Sequence, residues 1–487
     1  MDTTDEQDTQ EKRLIEVDFP LKQTSLDSVH EKNVRHGHIS TLHIWPARRP
    51  LAASRAALIT TLLPDPGNDE ERKMMMEKLA GRIVEHVKKK KLPNGGIEEQ
   101  VTVETEGGIL HWGRESGADL QWFRDKIREA YGGRAPRVLD PFAGGGAIPL
   151  EAMRLGCEVT AVDINPVAWF ILKCTLEYPH RLANQYRPLP AFALKSREFM
   201  ESYFKDKGFK GATLEVQLSS FGLKKDHANQ PQLMGMQTNV VSVEADLAWH
   251  VRAWGWWVLQ RAKADLERYY PTVDGKPTVA YLWARTVSCK NCRATVPLLK
   301  TRWLCKKDNK RVVLTMEPNA GKTGVVFGVQ HDAPSLAKGN SAQKREYDKQ
   351  LAGGTMSRSG VTCPCCRTIM TMEDIRREAK SGRIDATMTS VVVDGDFGKE
   401  YRIPTYEEIV MATEAQEGLS EVYSEIPFGL PDEPTPKGGS GASRAFSVDG
   451  YGFDKWYKLF TPRQLLALGT FVKYTRVMRE AMQKYEY

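Results

Sequence analysis

Eight cysteines stand in this 487-residue chain, and six of them fall between Cys289 and Cys366. Two pairs share the C-x-x-C spacing: Cys289-Lys290-Asn291-Cys292 and, in Cys363-Pro364-Cys365-Cys366, the outer two. One tight turn with that spacing offers two thiolates to one metal ion. Two such turns supply the closed tetrahedral sulfur set of a structural zinc site. Cys289, Cys292, Cys363 and Cys366 are therefore the expected ligands. Cys366 is preferred over Cys365 because it repeats the first spacing, and Cys305 and Cys365 remain spare candidates. The 70 residues between the pairs are long for a zinc ribbon and imply an insertion. A cysteine cluster of this kind in a chain without a secretory leader points to metal before disulfide. Cys157 and Cys174 sit in apolar segments and are read as core residues.

A second set of residues offers different chemistry. Val138-Leu139-Asp140-Pro141-Phe142-Ala143-Gly144-Gly145-Gly146-Ala147-Ile148-Pro149 lies where a strand should pass into a helix. Glycines there let a ligand approach the backbone, and the start of the helix presents free N–H groups. Asp163 ends the next strand, 23 residues after Asp140, a spacing at which a carboxylate accepts hydrogen bonds from ribose hydroxyls. Pro149 stands where the dinucleotide fingerprint has its third glycine, so the pattern departs from nicotinamide sites. It resembles the first motif of amino-methyltransferases, which bind S-adenosylmethionine. On that resemblance Asp140, Phe142, Gly144, Gly146 and Asp163 are cofactor-binding candidates. The alternative is a tight strand-to-helix turn with no ligand. Upstream runs His43-Ile44-Trp45-Pro46-Ala47-Arg48-Arg49-Pro50. Related methyltransferases carry a His-Pro-rich segment near the methionine end of the cofactor, which adds His43 and Arg48 to the set. Arg48 or Arg49 would pair with the cofactor carboxylate, as guanidinium does well; the alternative for both is packing or surface ion pairing.

The elements that must position these groups follow from the surrounding pattern. Arg137 to Asp140 predicts a strand, Ile148 to Leu155 a helix and Glu158 to Val162 a second strand, together a β-α-β unit of a parallel sheet. Helices are predicted over Leu51 to Leu63, 68 to 91 (ending in Lys88 to Lys91 before a Pro93-Asn94-Gly95-Gly96 break), 119 to 130 and Pro462 to Lys484. Residues 244 to 270 predict a helix carrying Trp249, Trp254, Trp256 and Trp257, read as a core helix in preference to a base-stacking platform. The polar stretch 317 to 360 is read as a loop and 425 to 445 as a Pro/Gly/Ser linker. The domain organisation is then a disordered lead-in (1–12), a helical module (13–118), a partial Rossmann-like cofactor-binding domain (119–277), a zinc-ribbon module (278–384), and a segment with linker and helix (385–487). The fold class is α/β: a partial Rossmann-like S-adenosylmethionine-dependent methyltransferase core with an inserted zinc ribbon.

Composition narrows the function class. Apolar residues make up 41% and charged residues 27%, which excludes a disordered or membrane-embedded chain. No apolar run approaches the roughly 18 residues of a membrane helix, and the acidic Met1 to Lys12 is no secretory signal. A cytoplasmic location with no membrane partner is the expectation. A net charge of +7 is compatible with a nucleic-acid partner. Around the cysteines, Lys300, Arg302, Lys306, Lys307, Lys310, Arg311, Arg367, Arg376, Arg377, Lys380 and Arg383 are placed either to neutralise phosphates or to form a solvated face. Ala320-Gly321-Lys322-Thr323 is dismissed as a phosphate loop because Met316 stands where the first glycine belongs.

Four stretches in order carry a wider resemblance: Leu14 to Ser54 with Phe19-Pro20 and Leu42 to Ala52; Asp140 to Glu151 followed by Asp163-Ile164-Asn165-Pro166-Val167-Ala168; Leu282-Trp283-Ala284-Arg285-Thr286-Val287 running into Cys289; and Leu459-Phe460-Thr461-Pro462-Arg463-Gln464-Leu465-Leu466-Ala467-Leu468. The chain resembles the N-terminal half, including its domain of unknown function, of the adenine-specific DNA methylases that contain a zinc ribbon. The resemblance implies transfer of a methyl group from S-adenosylmethionine to the N6 amine of adenine in DNA, with Zn2+ as a structural metal. Such enzymes flip out the target base and hold it with a D/N/S-P-P-Y/F/W tetrapeptide. This chain has no Pro-Pro pair. Asp140-Pro141-Phe142 belongs to the cofactor motif, and Asn165-Pro166-Val167 lacks the second proline and the aromatic residue. No catalytic residue is therefore assigned, and the tetrapeptide is expected in a C-terminal half or a separate subunit. The alternative from another class is a non-catalytic, zinc-dependent DNA-binding subunit of a modification or defence system.

Overall fold

In a computed structural model the chain is mixed α/β and divides into two units, Met1–Tyr186 and Arg187–Tyr487. The structure describes residues 12–45, 47–91, 97–223, 243–307, 309–336, 338–438 and 447–485, without the side chains of 87–91 and 97–100. The lead-in expected at 1–12 (Lys12 excepted), the Pro93–Gly96 break and the Gly/Ser end of the expected linker lie outside the described residues.

The first unit opens with α1 (Leu14–Val17), α2 (Leu21–Asn33) and α3 (Leu51–Leu62). Pro50 precedes α3 and has no side chain able to cap it. A carboxylate from α2 does so instead: Glu31 accepts from Leu51 N at 2.9 Å and Ala52 N at 3.1 Å, satisfying first-turn amides that a helix leaves open. Next comes α4 (Asp69–Ala80), capped by Asn68, whose side chain accepts from Glu71 N at 2.8 Å.

The single helix expected over 68–91 is corrected here. It stops at Gly81, where φ is +66° and a Cβ would lie 2.3 Å from the Glu106 carbonyl. The lysine-rich remainder is instead a strand, β1 (Arg82–Lys91), paired antiparallel with β2 (Ile97–Glu106). The register sets Lys89 and Lys90 opposite Glu99 and Glu98. This partner strand was not read from the sequence.

The unit continues with α5 (Ala118–Ala130), β3 (Arg137–Asp140), α6 (Ala147–Arg154), β4 (Glu158–Ala161), α7 (Pro166–Leu172), a π-helical stretch Lys173–Glu177 and α8 (Tyr178–Arg181). β3 and β4 pair in parallel, Arg137 with Glu158 through Asp140 with Ala161. The β-α-β unit thus forms as its periodicity predicts. Among the described residues no further strand joins the pair, so the partial Rossmann-like core expected from the sequence reduces to this one β-α-β unit. One core holds the helices together: Leu14, Ala56, Ile59, Leu79, Leu110, Phe123, Ile127 and Leu155 are all buried. Through it passes a buried ion pair. Arg55 Nε of α3 donates to Glu151 Oε2 of α6 at 2.5 Å, and Arg154 donates to the other oxygen at 2.6 Å. Arg55 also donates to the Ile109 carbonyl. This pair fixes the segment before α3 relative to the glycine turn before α6.

The second unit begins with a short strand β5 (Arg187–Pro188), then α9 (Ala191–Leu194), α10 (Arg197–Asp206) and α11 (Gly211–Ser220). β6 (Glu244–Ala245) pairs with β5 and leads into α12 (Leu247–Leu266). Trp249, Trp254 and Trp257 of α12 are buried and Trp256 is half-buried, so the tryptophans build core as expected. A four-stranded antiparallel sheet in the order β15-β14-β7-β8 follows, from β7 (Thr278–Ser288), β8 (Thr295–Pro297), β14 (Ile384–Gly395) and β15 (Gly398–Arg402). Between β8 and β14 lies the insertion that the long cysteine gap implies. It is not a loop over 317–360. β9 (Trp303–Lys307), β10 (Lys310–Pro318) and β11 (Val325–Gln330) form a three-stranded sheet, followed by α13 (Ser341–Leu351), β12 (Val361–Thr362), β13 (Ile369–Met370) and α14 (Met372–Lys380). The Gly321-Lys322-Thr323 run is the hairpin turn between β10 and β11, with Asn319 N bonded to the Gly324 carbonyl at 3.0 Å. Polar composition hid α13, which is mostly solvated, and β11, which is at most half-buried. α15 (Tyr406–Glu414), α16 (Leu419–Ser424) and α17 (Pro462–Lys484) close the unit.

No helix among the described residues is long and apolar enough to cross a membrane.

Candidate functional site

The cysteine pairs meet in the second unit. The first knuckle follows β7 and the second links β12 to β13. Their backbones repeat each other. Cys289 N bonds to the Ala294 carbonyl at 2.8 Å and Arg293 N to the Cys289 carbonyl at 3.0 Å; Cys363 N bonds to the Thr368 carbonyl at 2.9 Å and Arg367 N to the Cys363 carbonyl at 2.9 Å. In both, the residue after the second cysteine is an arginine in the left-handed region, Arg293 at φ +62° and Arg367 at φ +65°. Such a conformation costs a non-glycine residue about 1–3 kcal/mol and persists only where its surroundings impose it. The matched Cys-x-x-Cys-Arg pattern was present in the sequence as a signal of two equivalent turns.

All four sulfurs lie within 4.8 Å of one another. Cys289 and Cys366 are 3.6 Å apart and Cys292 and Cys363 are 3.7 Å apart. Four sulfurs each ~2.3 Å from a central zinc form a tetrahedron of about 3.8 Å edge, so the donor set fits a metal ion. Cys365 is not part of it: its sulfur turns to the Gly324 carbonyl at 3.3 Å. Cys305 belongs to β9, outside the group of four. The site has a floor of its own, with Val287, Ala294, Val296, Val361, Met370 and Ile375 buried against Cys289 and Cys363. Burial pushes the Cys363 thiol up to about 12. Hydrogen bonds from Thr368, whose hydroxyl is 3.3 Å from Cys366 Sγ, hold the Cys366 thiol down to about 5. A cation among the four favours the thiolate at each. Outside this cluster, Cys157 is half-buried and burial raises its thiol to about 11, while Cys174 is exposed and not a core residue.

Many of the basic residues near the cysteines are already engaged. Arg302 donates to the carbonyls of Gly353, Leu314 and Leu351. Arg311 and Lys306 converge on Asp348, and both lie over the Trp303 ring. Lys310 donates to the Lys399 carbonyl, Arg376 pairs with Glu373 and Arg383 with Glu378. Lys300, Lys307, Arg367, Arg377 and Lys380 are exposed and are what remains for an anionic partner.

The glycine turn lies in the first unit. Asp140 and Asp163 end or follow the two parallel strands, where an open α/β sheet binds ligands. Asp140 Oδ1 accepts from Phe142 N at 3.1 Å. Asp163 bridges the turn to its own loop, accepting from Gly144 N and Asn165 N, each at 2.8 Å. Gly146 is the residue before α6, in the left-handed region at φ +78°, and no side chain caps this helix. Ala147 and Ile148 are thus left without a capping side chain, and Pro149 has no N–H to cap. Phe142 is 83% exposed, a free aromatic face beside the turn. The segment from Ser40 to Pro50 also reaches the turn, through a residue that sequence reasoning did not choose. Trp45 packs on the glycines: a Cβ on Gly144 would lie 2.7 Å from Trp45 Nε1, and one on Gly145 would lie 3.1 Å from Trp45 Cβ. At Gly144, where φ is +49°, only glycine fits. His43 is exposed. Arg48 is half-buried and lines a separate cavity of about 460 Å³ whose wall contains Trp45 but no residue of the glycine turn. Burial lowers its pKa, partly offset by Glu31.

A family described as a protein of unknown function (DUF1156) matches residues 18–86. That span covers α2 to the start of β1, including the Trp45 segment. No curated protein and no solved structure matches the chain.

Proposed function

We propose that this chain is the S-adenosylmethionine-binding portion of a DNA adenine-N6 methyltransferase, with Zn2+ as a structural metal. The observation that carries the reading is the pair of carboxylates, Asp140 and Asp163, at the carboxyl ends of two adjacent parallel strands around a glycine turn and an uncapped helix start. In this reading Asp163 receives the ribose hydroxyls, Phe142 lies against the adenine, and the glycine turn from Gly144 to Gly146 approaches the methionine end beneath Trp45. When bound, the cofactor supplies the electrophilic methyl group. The residues of this chain bind and orient it; the target base is held by a D/N/S-P-P-Y/F/W motif in a C-terminal half or a partner subunit. The Cys289, Cys292, Cys363 and Cys366 set holds zinc and keeps its module folded, with the exposed Lys300, Lys307, Arg367, Arg377 and Lys380 facing DNA phosphates.

The test is methyl transfer from labelled S-adenosylmethionine to unmethylated plasmid DNA, by the chain alone and with the product of the downstream coding region, alongside direct cofactor binding by calorimetry. Cofactor binding by the chain and transfer only with the second component is the expected result. Absence of cofactor binding, with salt-dependent DNA binding retained, would favour the second reading of a non-catalytic DNA-binding subunit. The specific observation behind that second reading is Trp45, which closes over the Gly144 and Gly145 backbone.

A further inference from the structure

The cavity beside Trp45 has a composition that the methyltransferase reading does not need. Lys32, Arg35, Arg48 and Arg49 line it, with Glu31 as the one carboxylate. Glu31 is already committed: its two oxygens cap α3 through Leu51 N and Ala52 N, and His38 Nε2 stands 3.2 Å from Oε1. The four cations therefore face the cavity with their charge largely uncompensated. Lys32, Arg35 and Arg49 are exposed, and among the described residues no side-chain hydrogen bond or ion pair holds them. Arg48 differs. Its guanidinium is half-buried at the wall, and Nε and Nη2 are buried with no hydrogen-bond partner. A buried donor without a partner costs free energy, more so when charged. Nε and Nη2 form the edge with which arginine grips two oxygens of one anion. A small rotation that turns this edge to the cavity would replace two unmet donors with two charge-assisted bonds.

We propose that this cavity binds a phosphate group, with Arg48 as the bidentate ligand and Lys32, Arg35 and Arg49 supplying the surrounding charge. Four cations around one anion suit a phosphate better than the single carboxylate of an amino acid. The phosphate belongs either to a nucleic-acid backbone or to a free phosphate or nucleotide. All the residues involved fall inside 18–86, so the site gives that span of unknown function a chemical role. The inference stands independently of the methyltransferase reading.

The full chain, the Arg48→Met variant and the Lys32→Gln/Arg35→Gln variant would be titrated with inorganic phosphate and with a short DNA duplex at several salt concentrations. The wild type should bind, and Arg48→Met should weaken binding about tenfold or more and lower the duplex salt slope by about one. The double variant changes only exposed side chains, so it tests the charge without threatening the fold, and it should also weaken binding. Competition between phosphate and duplex would assign the site to the nucleic-acid backbone; phosphate binding without competition would assign it to a free phosphate or nucleotide. Equal binding by all three proteins, or binding by none, overturns the proposal. So does a loss of S-adenosylmethionine binding in Arg48→Met with phosphate binding unchanged, which would return Arg48 to the cofactor carboxylate. Asp163→Ala should abolish cofactor binding and leave phosphate binding intact, which separates the failure of one reading from the failure of the other.

Discussion

Replacing one cysteine of the tetrahedral set should release the metal, and the structure says which replacements matter. The sulfurs of Cys289, Cys292, Cys363 and Cys366 lie within 4.8 Å of one another, with two pairs at 3.6 and 3.7 Å. These are near the ~3.8 Å edge of a zinc–thiolate tetrahedron. Structural zinc sites of this type bind with roughly 10–16 kcal/mol at neutral pH. Divided over four ligands, each contributes about 2.5–4 kcal/mol, so Cys292→Ser should weaken zinc roughly 60- to 700-fold. Cys365→Ser and Cys305→Ser should leave affinity unchanged, because Cys365 is turned to the Gly324 carbonyl and Cys305 lies on β9. The assay is zinc content by mass spectrometry followed by competition with a chromophoric chelator. One zinc per chain in the wild type and in both control variants, with loss in Cys292→Ser, is the expected pattern. Equal weakening in Cys365→Ser and Cys292→Ser, or a wild type that holds no zinc, would refute the reasoning. Chelation should also loosen the module around Val287, Val296, Val361 and Ile375, which packs on the buried Cys289 and Cys363, and hydrogen exchange would report that loosening locally.

Three further outcomes follow from the first unit. Glu151→Gln leaves Arg55 buried and uncompensated, a loss of about 3–5 kcal/mol; over a unit of this size that lowers the melting temperature by roughly 6–20 °C, and a shift under 2–3 °C, about one kcal/mol, would show the pair to be dispensable. Gly144→Ala should destabilise the turn and weaken S-adenosylmethionine binding together, because its Cβ would meet Trp45 Nε1 at 2.7 Å at φ +49°; unchanged melting and unchanged binding by calorimetry would contradict the packing described. Burial lowers the pKa of His38 in the folded state, against an opposing influence of Glu31. Its contribution to stability is then complete above the unfolded value near 6.5 and falls as pH drops below it, by at most about 1.4 kcal/mol per pH unit, because the unfolded chain takes up the proton first; His38→Gln should flatten that part of the denaturation profile, and a slope unaltered by the substitution would count against the assignment.

How much could be read beforehand varied with how local the cause was. The β-α-β unit, α3, α5, α17 and the two cysteine knuckles were legible because each is set by residues a few positions apart: an apolar strand before a glycine turn, a Thr461-Pro462 start to α17, a C-x-x-C spacing. The apolar tryptophan helix was legible for the same reason. The hairpin of β1 and β2 was not. Its lysine run is a strand because Gly81 ends α4 and a partner strand, β2, lies across the ladder. The β10–β11 hairpin and α13 were missed because their solvated faces look like loop composition. At the glycine turn, the placing of Asp140, Gly144 and Asp163 around one strand-to-helix crossing was legible from the predicted strands. Trp45 was not, because nothing in its neighbourhood says that it will lie on a turn a hundred residues later.

By itself the sequence determined the chemistry at hand: four thiolates in two equivalent turns, and a glycine turn flanked by two carboxylates. These are properties of residue type and short spacing, which the backbone expresses locally. The tertiary structure alone decided that Cys365 turns to the Gly324 carbonyl, that Arg302 and Arg311 serve the protein's own carbonyls and carboxylate, and that Arg48 lines a basic cavity. Each of those outcomes depends on which groups from distant segments arrive within hydrogen-bond reach and which are left without a partner, and that is set by packing and not by any neighbouring residue.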